Sequence, residues 1–162
     1  MSDPTKSPAR LIEVVIDEAA PVRRSADAEH ERRVAIYDLL EENFFAPLLA
    51  PEGPYTLHLS LVENRLIFEI RQAASGETLN RLALSLQPFR GIMKDYALVC
   101  ETYYEAIKSA PRSRIEAIDM GRRGLHNEGS QLLREKLGPG VDLDFDTARR
   151  LFTLLYVMQM RG

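Results

Sequence analysis

The chain has 162 residues, a length that suits one domain burying about two-thirds of its unfolded surface. Apolar residues make up 45% and charged residues 28%, and no run approaches the roughly 20 apolar residues of a membrane span, so a soluble globular protein is expected and a spanning one excluded. A net charge of -3 leaves no global footprint for nucleic acid, and the one cysteine, Cys100, excludes an intramolecular disulfide and any multi-cysteine metal or iron–sulfur site, in keeping with a reducing cytoplasm.

The opening MSDPTKSPAR is polar, holds two prolines and has no apolar core, so residues 1–9 are expected to be a disordered tail and residues 10–162 a single domain. Arg10 to Asp17 is rich in β-branched residues and predicts a first strand. Pro21 with Arg23, Arg24 and Ser25 predicts a linker and helix start. From Asp27 to Asn43 an amphipathic helix is expected, with Val34, Tyr37, Leu40 and Phe44 or Phe45 on its buried face, ended by the cluster Pro47, Pro51, Gly53 and Pro54.

Tyr55, Leu57, Leu59 and Leu61 alternate with Thr56, His58 and Ser60, Leu66, Phe68 and Ile70 with Ile67, Glu69 and Arg71 beyond a Glu63-Asn64 turn, and Leu82, Leu84 and Leu86 with Arg81, Ala83, Ser85 and Gln87 beyond Ser75-Gly76. These are three strands of an antiparallel meander with one apolar face. Pro88 suits the first position of a helix whose buried stripe is Ile92, Tyr96, Val99, Cys100, Tyr103 and Ile107. After the Gly138-Pro139-Gly140 loop, Asp144 or Asp146 can cap a last helix that is apolar on nearly every side and so belongs in the core or at a subunit contact. The order β-α-β-β-β-α-α-α segregates strands from helices, which predicts an α+β fold: an antiparallel or mixed sheet of about four strands against a four-helix layer.

The segment from Pro111 to Leu137 carries the densest polar chemistry. Ser113 and Glu116 have capping-box spacing, so a helix is expected to start there. Ile118, Gly121, Leu125, Gly129 and Leu132 form its core stripe, and Asp119, Arg122 or Arg123, His126 and Ser130 line the opposite side. Gly121, Gly124 and Gly129 each weaken a helix by about 1 kcal/mol. Either another segment packs closely on one of them or the helix breaks near Asn127-Glu128-Gly129 and restarts at Ser130, where an anion could sit; the break is preferred.

The run IDMGRRGLHNEGS from Ile118 to Ser130, together with DFDTARRLFTLLYV from Asp144, resembles the uncharacterised protein family UPF0262 of alphaproteobacteria. The resemblance extends from Arg10 to Gly162 and implies a bacterial cytoplasmic setting. It carries over neither an activity nor functional residues.

Arg122 and Arg123 present guanidinium forks suited to a phosphate or carboxylate, although Asp119 and Glu116 lie close enough on the helix to make ordinary ion pairs with them. His126 has the intrinsic pKa of an acid or base, with Glu128 or Asp119 to orient it; the plainer account is a histidine hydrogen-bonded to backbone or to Asp119. The ligand set expected here is Asp119, Arg122, Arg123, His126, Asn127, Glu128 and Ser130. A metal would need His30 or His58 to join His126, and His30-Glu31 is followed by Val34 where a zinc protease has histidine, so no metal and no cofactor is expected. Cys100 lies on a buried stripe and is read as packing. Arg149 and Arg150 stand in the first turn of the last helix, where the dipole disfavours cations; an Asp146–Arg150 pair explains them, and an anion beside Arg149 is the other account.

Three functional readings follow. In the first, a cytoplasmic binding or adaptor module recognises an anionic group on a metabolite, a protein partner or, with less support, RNA. In the second, a hydrolase or transferase acts on a phosphorylated substrate with His126 as acid or base. In the third, a structural homo-oligomer, such as a homodimer, assembles through the C-terminal helix.

Overall fold

A computed structural model of the chain describes residues 7–17 and 26–159. The expected linker Pro21–Ser25 and residues 1–6 of the expected tail lie outside them. Ala9, from the end of that tail, accepts a hydrogen bond from the Phe45 N–H at 2.9 Å.

Alternation and turn chemistry build the sheet as the sequence predicts. Strand β3 (Tyr55–Val62) pairs antiparallel with β4 (Arg65–Gln72) across a tight turn in which Glu63 takes φ 57°, so that Leu57 faces Ile70 and Leu59 faces Phe68. Gly76, at φ 74°, turns the chain into β5 (Thr78–Ser85), which begins before Arg81. Strand β1 (Leu11–Asp17) adds to the free side of β3 in parallel, giving a mixed sheet of order β1-β3-β4-β5. Two short strands were not visible as periodicity. These are β2 (Phe45–Pro47), inside the proline cluster, and β6 (Val141–Leu143), which pair with each other antiparallel.

The helices are α1 (Ala26–Glu41), α2 (Arg90–Ser109, after a 3₁₀ turn at Gln87–Phe89), α3 (Arg112–Leu137) and α4 (Phe145–Gln159). Three helical expectations need correction. On α1 the buried residues are Ala35 and Leu39, while Val34 and Tyr37 are exposed, because the sheet and α4 take up the face of small and aliphatic residues. On α2, Ala106 is buried and Ile107 is exposed. On α3, Pro111 rather than Ser113 precedes the helix, its carbonyl accepting from Arg114 and Ile115, and Glu116 pairs with Arg112 at 3.0 Å, so no capping box forms.

Helix α3 also runs unbroken through Asn127-Glu128-Gly129. The close approach that was the alternative to a break is present at Gly129, where a Cβ would lie 2.3 Å from two ring carbons of Phe152. Gly121 and Gly124 have open space beside them. The polar stripe of α3 is turned toward the fold as well: Ser130 is fully buried and Asp119, Arg122 and His126 are part-buried, as are Ile118, Leu125 and Leu132 of the expected core stripe.

Leu57, Leu59, Phe68, Ile70 and Leu84 from the sheet meet Leu39, Leu133, Leu137, Leu151, Phe152 and Leu155 in one core. Helix α4 lies between α1 and α3, and α2 packs on α3. The apolar girth of α4 is accounted for within the chain, since Leu151, Phe152, Leu154, Leu155 and Val157 are all enclosed. Among the described residues, no helix is long and apolar enough to cross a membrane.

Candidate functional site

Helices α1 and α3 both pack on α4, and a cleft of about 820 Å³ is lined by all three. That volume is in the range of small-molecule sites. Arg122, Arg123 and His126 of α3 form one wall; Asp38 and Glu41 of α1, with Glu42 just beyond it, form the other. Arg149, Arg150, Thr153 and Asp146 come from α4, and Tyr96 from α2.

His126 is seated by packing that begins with a missing side chain. The absence of a Cβ at Gly129 lets Phe152 approach α3, and the His126 ring then stands edge-on to Phe152 at 5.2 Å and to Tyr96 at 5.5 Å between ring centres. The Thr153 hydroxyl donates to the Arg149 carbonyl at 3.1 Å, which leaves its oxygen to accept the His126 Nε2–H at 2.8 Å. The Ser130 hydroxyl donates to the His126 carbonyl at 2.6 Å and lies 3.4 Å from Nδ1. Both hydroxyls donate to carbonyls, so the single ring proton is assigned to Nε2 on its shorter contact. Burial, then the charges of Arg149 and Arg122, draw the imidazole down from 6.5 to about 4, so it is neutral at pH 7.

Arg122 is fixed from two sides. Its guanidinium lies 4.1 Å above the Tyr103 ring centre and donates through Nε to Asp119 at 3.1 Å. Asp119 also receives Arg123 at 2.9 Å, and the Arg122 hydrogen bond with the two arginine charges holds its carboxyl below the usual range. Asp119 thus positions both arginines. Arg123 nevertheless remains 73% exposed, and Arg149 reaches its one recorded carboxylate, Asp146, only at 3.8 Å. The expected Asp146–Arg150 pair is not formed, because Arg150 extends instead to the Glu42 carbonyl at 3.0 Å. Asp144 caps α4 by accepting from the Thr147 N–H at 3.1 Å.

Of the residues singled out from the sequence, Arg122, Arg123 and His126 line the cleft, Asp119 holds two of them, and Ser130 is buried beneath His126. Asn127 and Glu128 are exposed and do not line it. Thr153, Tyr96 and the α1 carboxylates were missed, since nothing in the spacing brings those segments together. Arg149 had a visible signal in its position near a helix start. His30 is exposed on α1, and His58 lies on β3 between inward-facing Leu57 and Leu59, so it faces away from the helices that hold His126. Cys100 is buried next to Tyr96, and burial pushes its thiol up despite the counteracting Tyr96 hydrogen bond and Arg122 charge.

The pairing of an inward polar stripe on α3 with the arginine pair of α4 is the geometric counterpart of the two sequence runs Ile118–Ser130 and Asp144–Val157. Residues 8–161 match the sequence model of a family described as "Uncharacterised protein family (UPF0262)". A UPF0262 protein of Azorhizobium caulinodans is 55% identical over 159 residues, covering 98% of each chain. Another, from Xanthobacter autotrophicus, is 59% identical over 155 residues, covering 95% of this chain and 94% of that protein. A third, from Rhizobium etli, is 56% identical over 153 residues, with 94% and 96% covered. No solved structure matches the chain. Matched over nearly its whole length by the family and by these relatives, the chain belongs to the uncharacterised protein family UPF0262.

Proposed function

We propose that this protein is a binding module whose cleft takes an anionic group of a small molecule against Arg123 and Arg149, beside the neutral ring of His126. The observation that carries the reading is the state of Arg149. It lines the cleft, is about half exposed, and has no carboxylate closer than 3.8 Å among the described residues. Arg122 is already engaged by Asp119 and Tyr103, so it contributes charge and shape more than a free fork. A polyanion such as RNA is less suited to the site, because Asp38, Glu41 and Glu42 line the facing wall and repel it.

The enzymatic alternative has weaker support. An imidazole drawn to about 4 and engaged through Nε2 is poorly matched to proton transfer near pH 7, and Ser130 is buried away from solvent. Self-association through the C-terminal helix gains no support from surroundings in which that helix is enclosed by its own chain. Calorimetric titration with inorganic phosphate and pyrophosphate tests the binding reading. Saturable binding that weakens about tenfold or more in Arg149→Ala and in Arg123→Ala is expected. Absence of binding by the wild type, or variants that bind as well as it does, would remove the proposal.

A further inference from the structure

The geometry points to a zwitterionic ligand: a small molecule that sets a phosphate or carboxylate against Arg123 and Arg149 and an ammonium or guanidinium group against Asp38, Glu41 and Glu42. This rests on the anion-binding reading above and extends it to the second wall of the cleft. The two walls have opposite charge, yet they do not neutralise each other. Among the described residues, none of the three carboxylates lies within ion-pair distance of an arginine, and Arg150, which reaches across to Glu42, binds its backbone carbonyl and leaves the carboxylate alone.

Helix polarity sharpens the point. The C-terminal end of a helix favours cations, but the last turn of α1 holds Asp38 and Glu41 and no basic residue. The N-terminal end favours anions, but α4 places Arg149 and Arg150 one turn from its start. At the end of α1 the side-chain charge has the sign that weakens its own helix and adds to the partial charge of the helix end, whereas at the start of α4 Asp146 stands beside the two arginines. The result is an acidic wall on α1 facing four arginines and Asp146 across a space the size of a small molecule. Acidic charges that work against their own helix and have no arginine within ion-pair distance among the described residues are those expected of a recognition surface. A ligand carrying both signs satisfies both walls, whereas a simple anion leaves the acidic wall unsatisfied and is repelled by it.

Alkyl phosphates and ω-aminoalkyl phosphates of matched, graded chain length (ethyl, butyl and hexyl) separate the two ideas by calorimetry on the full chain. At least one aminoalkyl phosphate is expected to bind about tenfold or more tightly than its alkyl counterpart. In the double variant Asp38→Asn with Glu41→Gln, both exposed positions, that preference is expected to disappear while the alkyl phosphates bind as well as before or better. If alkyl phosphates bind at least as tightly as every aminoalkyl phosphate, the zwitterion inference fails and the anion site survives. It also fails if the preference persists in the double variant. If neither series binds, both readings fall.

Discussion

The same substitution at two glycines of α3 should change stability in opposite directions. In Gly124→Ala the new methyl meets open space, so only the helix preference for alanine acts, stabilising by up to about 1 kcal/mol. In Gly129→Ala the methyl would stand 2.3 Å from Cε1 and Cζ of Phe152 and 3.0 Å from Cδ1. Phe152 is fully buried and cannot swing into solvent, so α3 and α4 must separate or the ring must leave its rotamer. Overpacking of this kind costs about 1–3 kcal/mol, and a clash with a fixed ring belongs at the upper end. Offset by the same helix gain, Gly129→Ala should lose about 2 kcal/mol, a separation of about 3 kcal/mol from Gly124→Ala. Urea unfolding at pH 7 reads this directly, and in a chain of this length each kcal/mol moves Tm by about 2–4 °C. Equal stability of the two variants would refute the close packing of Phe152 on α3, and with it the account of how His126 is seated. Phe152→Leu in the Gly129→Ala background should recover part of the loss if that packing is right.

His126, neutral in the fold and drawn to about 4, binds fewer protons folded than unfolded between that value and 6.5. Its contribution is therefore complete above pH 6.5 and is lost as pH falls toward 4, amounting to about 2 kcal/mol after allowance for partial solvent screening. Urea midpoints at pH 7 and 4.5 should fall further in the wild type than in His126→Gln, and equal pH slopes would contradict the assignment. Arg122→Ala should lose about 1 kcal/mol in thermal unfolding through the lost Tyr103 contact, whereas Arg123→Ala, largely exposed, should stay within about 0.5 kcal/mol. Asn43 accepts from the Leu11 N–H at 2.7 Å and donates to the Leu11 and Leu39 carbonyls at 3.1 and 2.9 Å, so Asn43→Ala should cost about 2–3 kcal/mol. Amide exchange in β1 should speed up in that variant, and unchanged exchange would show that these bonds are not what fastens the strand.

The meander was legible because Tyr55–Leu61 and Leu66–Ile70 place large apolar residues at every second position, the pattern of strands with one core-facing side, although Ile67 is buried on the other side of β4. The apolar girth of α4 likewise announced its central place. Reading α1 by its largest apolar residues failed, since Ala35 and Leu39 fit between α4 and the sheet while Tyr37 stays outside. On α3 the difficulty was deeper. Hydrophobicity turns Arg122 and His126 outward, but a histidine ringed by Tyr96 and Phe152 and an arginine laid on Tyr103 bury their flat faces readily. Of the two accounts of the glycines, a break and a close approach, spacing favours the first, whereas Gly129 is a socket for a ring more than twenty residues further along the chain. The site was half visible: one helix supplied Arg122, Arg123 and His126 together, but local spacing carries no information about the carboxylates of α1 or the arginines of α4 that stand across from them.

Neighbouring segments make the β3–β4–β5 meander, whereas β1 reaches β3 only after about forty intervening residues, α1 among them, have been brought round. Closing a loop of that length costs about 2 kcal/mol more chain entropy than closing a hairpin turn of a few residues. The meander is expected to form early and β1 to join late, although β1 is synthesised before β3. Until β3 is synthesised, LIEVVID is an unpaired apolar segment of the kind that seeks edges on other chains. Glu13 and Asp17, exposed in the finished sheet, give every such segment the same negative charge during that wait, so that two nascent copies repel before they can pair.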